Sequence, residues 1–310
     1  MSQKIALLFP GQGSQAVGML AELLATSDTV KATFSEASDA LGYNLAELVL
    51  NGPESELNQT HRTQPALLTA SVAIYRQWRA NNPDCEVVMA GHSLGEYSAL
   101  VCAEVISLAE VVKLVEKRGL YMQEAVPAGT GSMAAIIGLD DATIADVCTQ
   151  SAQEQIVSPV NYNSPGQVVI AGHKEAVARA SEACKEAGAK RALPLAVSVP
   201  SHCSLMSPAA EKLAAQLETI DVKSPVLKVI NNVDVAIESD PVAIKDALKR
   251  QLFSPVRWSE TVQFFAANDV SLQIEVGPGK VLSGLAKRID KSVSGVATTD
   301  VANLTSALEK

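Results

Sequence analysis

The chain has 310 residues, 47% hydrophobic and 19% charged, so it can bury a large core in one elaborated domain or two. A net charge of −9, from 25 Lys and Arg against 34 Asp and Glu, argues against a general nucleic-acid binder. No apolar run approaches the ~18 residues of a membrane helix, the opening MSQKIALLFPG breaks too early for a secretory signal, and five scattered cysteines without a CxxC pair favour a reducing cytoplasm over a disulfide framework or zinc site.

Residues 4–9 read as a buried strand that runs into the glycine-rich Pro10-Gly11-Gln12-Gly13-Ser14-Gln15, with a helix expected from about Ala16. GQGSQA fits the dinucleotide fingerprint formally. That motif needs a second strand ending in an acid about 20 residues on. Residues 28–80 stay helical in pattern instead, so a nicotinamide site is rejected. The loop then either turns its backbone N–H groups toward an active site or is a tight strand–helix turn.

Residues 86–100, EVVMAGHSLGEYSAL, organise the chain. Val87 to Ala90 form a short apolar run that reads as a buried strand, and a helical pattern opens at Gly95. Between them Gly91-His92-Ser93-Leu94-Gly95 matches G-x-S-x-G. Such a turn holds a serine hydroxyl at a strand's carboxyl end above a helix N-terminus, where free N–H groups stabilise developing negative charge. Ser93 is therefore a candidate nucleophile; the alternative is a structural turn serine.

Ser107-Leu-Ala-Glu110 is a capping-box pattern opening the next helix. Val111, Leu114, Val115 and Met122 form its apolar stripe, and Arg118 lies on that same stripe. Lys113, Glu116 and Lys117 lie opposite. An inward guanidinium is costly unless paired. It is either core-paired or snorkelling, or it awaits a substrate carboxylate.

Residues 129–199 change texture. GSMAAIIGL reads as a strand, DDATIADVCTQSA as a helix, IVSPVNYN and QVVIAGH as strands, KEAVARASEACKEAG as a helix and KRALPLAV as a strand. This β-α-β-β-α-β order is the ferredoxin-like pattern, expected as an insert over 128–199 within a catalytic domain of 1–127 and 200–310. The larger part then resumes with Pro200-Ser201-His202-Cys203, a helix over 209–217, a strand over 226–233, a helix over 243–252, a strand over 270–277 and a last helix from Pro278-Gly279-Lys280. GPGK is not a phosphate loop, because Val281 and Ile274 stand where Ser or Thr and the first Gly belong. Alternating strands and helices imply a mostly parallel sheet covered on both faces.

A serine nucleophile needs a base within hydrogen-bond reach. Of the four histidines, His61 lies away from any strand end, His92 adjoins Ser93 but should diverge from it, and His173 ends a strand inside the insert. His202 follows the return to the main domain and is the best placed, although a structural role remains open. No acid stands out as a third member. A backbone carbonyl is one alternative for fixing the imidazole tautomer.

With these residues the chain resembles the malonyl-CoA:acyl carrier protein transacylases of bacterial fatty acid synthesis. The resemblance spans nearly the whole sequence through FPGQGSQ, TQPALL, AGHSLGEYSAL, KRG at Arg118, NYNSPGQVVIAG, VPSHCSLM, QLFSPVRW and EVGPGKVL. It implies an α/β-hydrolase-like core with a ferredoxin-like insert, Ser93 as nucleophile and His202 as base. It further implies an oxyanion hole from the N–H groups of Gln12 and Leu94, Arg118 on the malonyl carboxylate, and the Gln251 carbonyl on His202. Gln64, Asn161 and Asn163 would be additional lining of the acyl and pantetheine channel. Malonyl-CoA is then a substrate rather than a cofactor, no metal is required, and acyl carrier protein is the acceptor. Rival readings are a polyketide acyltransferase using a related dicarboxylic acyl group, a plain serine hydrolase, and a non-catalytic carrier-binding subunit. Steering an acidic carrier would need local basic patches, with Lys245, Lys249 and Arg250, or Lys280, Lys287 and Arg288, as candidates; each is otherwise part of an ordinary solvated helix face.

Overall fold

The computed structural model describes residues 4–197 and 199–298. β1 (Lys4–Phe9) is followed by α1 (Ala21–Thr26), α2 (Asp28–Leu41), α3 (Leu45–Asn51), α4 (Glu54–Leu57) and the long α5 (Thr60–Asn81). β2 (Val87–Gly91) leads into α6 (Leu94–Cys102) and α7 (Leu108–Ala125). Then come β3 (Gly131–Ile137), α8 (Asp141–Ala152), β4 (Val157–Ser164), β5 (Gln167–His173), α9 (Lys174–Glu186) and β6 (Arg191–Pro194). The chain continues through α10 (Ser207–Leu217), β7 (Lys228–Ile230), α11 (Pro241–Gln251), α12 (Trp258–Ala267), β8 (Val270–Glu275), α13 (Val281–Ile289) and β9 (Ser294–Ala297).

The main sheet has the order β7-β2-β1-β8-β9, and its strand pairs are parallel. A strand's side chains alternate between faces. Accordingly Ile5, Leu7 and Phe9 join the core formed with α2, α5 and α7, while Ala6 and Leu8 join the opposite core with α12 and α13. Covering both faces explains why β1 reads as a continuous apolar run. Each fully buried Leu or Phe there contributes roughly 1.5–3 kcal/mol. Neighbouring strands leave β1 on opposite sides, with β2 on one and β8 on the other. In open α/β sheets such a switch point opens a crevice at the carboxyl ends of the strands.

The second sheet, β4-β5-β3-β6, is antiparallel, and with α8 and α9 it makes the expected ferredoxin-like unit. One face packs on those helices through Ile136, Ile144, Ile170 and Val177. The other, with Met133, Ala135, Val160 and Val169, packs against Cys203 of the main fold. The two sheets are also tied through the backbone: Tyr162 N–H donates to the Val256 carbonyl at 3.0 Å, and Val256 N–H to the Val160 carbonyl at 2.9 Å.

Several boundaries differ from expectation. The first helix starts at Ala21 rather than Ala16, because Gly18 and Leu20 sit at φ +84° and +60° and keep the segment in turns. The strand expected over 226–233 shrinks to Lys228–Ile230, since Asn231 turns back to bond the Ala236 carbonyl. The strand read over KRALPLAV ends at Pro194, and the last helix begins at Val281. Helix α12 and strand β9 were not foreseen.

Candidate active site

The strand–helix turn after β2 is steric in origin. A Cβ added at Gly91 would lie 1.8 Å from the Gly95 carbonyl carbon, and one at Gly95 would lie 2.0 Å from the Phe9 oxygen. Only glycine at both positions lets α6 start directly over the ends of β1 and β2. Ser93 at the apex has φ 52° and ψ −109°, a sparsely populated conformation that tertiary contacts must hold. Its N–H donates to Asn232 Oδ1 at 2.7 Å, and its carbonyl accepts from Gln251 Nε2 at 3.0 Å.

The Ser93 hydroxyl lies 2.7 Å from His202 Nε2, and His202 Nδ1 lies 2.7 Å from the Gln251 carbonyl oxygen. A carbonyl only accepts, so Nδ1 carries the proton and Nε2 is left to accept from Ser93. His202 is itself at φ 65° and is anchored by its N–H to the Leu252 carbonyl at 3.0 Å. Burial, reinforced by the Arg118 charge, pushes its pKa down to about 3, so the imidazole is neutral throughout the physiological range. Two of the other histidines are engaged elsewhere. His92 Nε2 donates to Asn163 Oδ1 at 2.9 Å, with its ring beside Trp258. His173 Nδ1 accepts from Ile156 N–H at 2.9 Å within the small sheet.

Arg118 points inward with its stripe on α7. A Cβ on the neighbouring Gly119 would lie 2.6 Å from His61 Cα, so glycine there lets α7 close on α5. The guanidinium then donates from Nη1 to Gln64 Oε1 at 2.8 Å, and from Nη2 to Gln251 Oε1 at 3.1 Å and Ser93 Oγ at 3.4 Å. It sits 5.3 Å from the Tyr97 ring centroid, while Nε has no partner among the described residues. All these hydrogen-bond partners are uncharged, although the side chain is only 2% exposed. Burial lowers its pKa from the ordinary arginine value, but an arginine remains protonated.

Ser93, His202, Arg118, Gln12, Leu94 and Asn161 border one cavity of about 310 Å³. Leu94 is the first residue of α6, so its N–H belongs to the unpaired amides of a helix start. Gln64 lies behind Arg118, and Asn163 lies behind His92, so both act on the cavity through another side chain. Two participants escaped sequence reasoning. Glu96 follows Ser93 by one helical turn; its Oε2 accepts from Asn232 N–H at 2.9 Å and Gln251 Nε2 at 2.8 Å. Asn232, at the end of β7, also donates to the Gly91 carbonyl at 2.6 Å. The one-turn spacing was a usable signal for Glu96, whereas nothing local marks Asn232.

Among the described residues no group of three or more His, Cys, Asp or Glu side chains is placed to hold a metal. No helix there is long and apolar enough to cross a membrane. The candidate basic patches separate. Lys245, Lys249 and Arg250 are matched by Glu218, Glu211, Asp234 and Asp246. Lys280, Lys287 and Arg288 are exposed, with Arg288 bonded only to the neutral Gln167 among the described residues.

A serine held on a strained elbow, facing a neutral imidazole at the carboxyl edge of a parallel sheet, defines an acyl-transferring class of site. The chain belongs to the acyl transferase family: the model of the acyl transferase domain matches residues 6–306. It is 62% identical over 305 residues to the malonyl CoA-acyl carrier protein transacylase of Salmonella typhimurium, covering 98% of this chain and 99% of that one. An acyl carrier protein S-malonyltransferase of Vibrio cholerae, 62% identical, superposes with a TM-score of 0.96 over 98% of this chain and all of that one (100%). A malonyl-transacylase solved in complex with its type II PKS acyl-carrier protein, 60% identical, superposes with a TM-score of 0.98 over 99% of each chain.

Proposed function

We propose that this chain transfers the malonyl group of malonyl-CoA to the phosphopantetheine thiol of acyl carrier protein through a malonyl-serine ester. The observation that carries the reading is the convergence on Ser93 Oγ of His202 Nε2 at 2.7 Å and Arg118 Nη2 at 3.4 Å. An acyl-accepting oxygen thus lies beside both a base and a buried cation that touches no carboxylate directly among the described residues. The neutral partners of Arg118 leave room for a charge-assisted, two-pronged contact with the free carboxylate of a dicarboxylic acyl group.

In the first half-reaction Ser93 gives its proton to His202 Nε2 as Oγ attacks the thioester carbonyl. The oxyanion is received by the N–H groups of Gln12 and Leu94. The C–S bond then breaks, and His202 returns the proton to the coenzyme A thiolate. In the second half-reaction the carrier's thiol gives its proton to His202, attacks the ester, and Ser93 recovers the proton as it leaves. Gln251 holds the imidazole through its main-chain carbonyl and Arg118 through its side chain. Gln64 braces Arg118, Asn161 borders the acyl channel, and Asn163 holds His92 at its wall. Residues 128–199 act as an inserted subdomain that closes the cavity over the 1–127 and 200–310 catalytic domain. Every proton and electron pair is accounted for without a cofactor. Five free cysteines fit a role in the cytoplasm, and the exposed Lys280, Lys287 and Arg288 are the better of the two basic patches for an acidic carrier.

The test is intact-mass measurement after mixing with malonyl-CoA, followed by addition of holo acyl carrier protein. A stable adduct on Ser93 that disappears as the carrier gains the malonyl group is expected. Rapid release of free malonate without a persistent adduct would make the chain a hydrolase. Failure to form any adduct would leave only a binding role.

A further inference from the structure

Glu96 is a buried carboxylate that the transfer chemistry above does not use. It is 2% exposed, and its Oε2 accepts two hydrogen bonds, from the Asn232 N–H and Gln251 Nε2. Each donor residue continues to the reacting groups. Asn232 Oδ1 receives the Ser93 N–H, and Gln251 touches Arg118, the Ser93 carbonyl and His202. One carboxylate therefore joins α6, the end of β7 and the end of α11 around the elbow. Among the described residues its charged neighbours are few. Arg118 on α7 is the cation that acts on it; Tyr97 on its own helix is a neutral phenol held up at about 12; Asp234 beyond β7 repels it. Glu238 shares a small crevice with Glu96, Asn231 and, from α11, Ile244 and Ala247. That crevice is separate from the cavity holding Ser93.

We propose that Glu96 is a positioning residue and the countercharge of Arg118, and that it takes up a proton when the carboxylate of a dicarboxylic acyl group reaches the guanidinium. The proposal rests on the malonyl-transfer reading of the site. In the resting protein the buried cluster holds one cation and one carboxylate joined through Gln251. A substrate carboxylate on Arg118 adds a second negative charge in a low-dielectric region, where like charges disfavour each other strongly. The less solvated carboxyl relieves this by protonating, and Glu96 borders a crevice that shares no lining residue with the substrate cavity. Burial already raises Glu96 to about 7, so a modest further push suffices to protonate it slightly above neutral pH. The sign follows: substrate capture coupled to proton uptake weakens as pH rises above neutral and is insensitive to pH well below it.

The experiment is single-turnover acylation by malonyl-CoA, slightly above neutral pH, in two buffers of different ionisation enthalpy, with adduct formation followed by mass. Wild type should show buffer-dependent heat corresponding to net uptake of a substantial fraction of a proton per adduct. E96Q, which keeps an acceptor oxygen for Asn232 and Gln251, should form the adduct with that uptake removed. The thiol released is common to both enzymes and cancels in the comparison. The wild-type KM for malonyl-CoA should rise above neutral pH, and in E96Q that limb should flatten. An adduct formed by wild type without net uptake, or with the same uptake in E96Q, would overturn the proposal while leaving malonyl transfer intact. No adduct in wild type would overturn both. The wild-type measurement stands even if E96Q folds poorly.

Discussion

Replacing Arg118 with alanine is the sharpest test of substrate choice. In the resting site the guanidinium is 2% exposed and, among the described residues, hydrogen-bonds to uncharged atoms at 2.8, 3.1 and 3.4 Å. A malonyl carboxylate supplies the direct ionic contact that the guanidinium lacks, since Glu96 reaches it only through Gln251. Removing one partner of a buried, hydrogen-bonded charge pair costs roughly 3–5 kcal/mol, and about 1.4 kcal/mol is tenfold in rate. Arg118→Ala should therefore lower kcat/KM for malonyl-CoA by roughly 10²–10⁴-fold. Acetyl-CoA has no carboxylate to lose, so its transfer should be unchanged or faster. Arg118→Lys should recover little, because a point charge on a flexible stem cannot bridge Gln64, Gln251 and a carboxylate at once. The assay compares both thioesters on the three proteins, following carrier acylation and free acid. Equal fractional losses for the two substrates in Arg118→Ala would make Arg118 a packing residue and refute the selectivity argument.

Ser93→Ala should abolish the adduct with little change in melting temperature; a peptide map placing malonyl on another residue, such as Cys203, would contradict this. His202→Ala should slow both acylation and transfer by ~10²–10⁴-fold or more, since one imidazole serves both half-reactions; a near-normal rate, with His173→Ala inactive instead, would move the base elsewhere. Stability should respond to acid through His202. Its folded pKa, about 3, lies below the ordinary 6.5, so its contribution is complete above 6.5 and is lost as pH falls toward 3. The ceiling is about 5 kcal/mol at 1.36 kcal/mol per unit, and urea melts of wild type and His202→Gln between neutral and mildly acid pH should show a shallower loss in the variant.

What was legible in the sequence was local. The elbow is a strand, two glycines and a helix start within fifteen residues, and each part constrains its neighbours. Arg118 betrayed itself by standing on an apolar stripe one turn from Val115 and Met122. The ferredoxin-like order could be read because each of its elements carries its own periodicity. What was not legible depended on distant chain. Asn232 meets Ser93 across 139 positions, and Glu96 meets Gln251 across 155, so no window contains both partners. The late start of α1 turns on a left-handed Leu20, a conformation no sequence pattern announces. Strand β9 is four residues long and half-buried, too short for alternation to show.

A neutral carbonyl behind His202, where many serine enzymes place a carboxylate, fits what a malonyl-serine ester must survive. An acid at Nδ1 would stabilise the imidazolium and raise its pKa. The Gln251 carbonyl does so more weakly, and burial with the nearby Arg118 charge leaves the imidazole a poor proton acceptor. Water is a far weaker acid than a thiol, so its attack depends heavily on help from a base. A thiol, with a pKa near 8.5, needs far less help and is the better nucleophile once ionised. Ser93, as weak an acid as water, is held on the base at 2.7 Å, whereas a free water is not, so a weak base separates the two acceptors and the ester waits for the carrier. On this reading His202 is already neutral and takes the thiol proton itself, so transfer to the carrier should stay nearly flat from mildly acid to neutral pH, whereas release of free malonate should rise as hydroxide accumulates. Parallel pH dependences for the two rates would refute a separation that rests on the base.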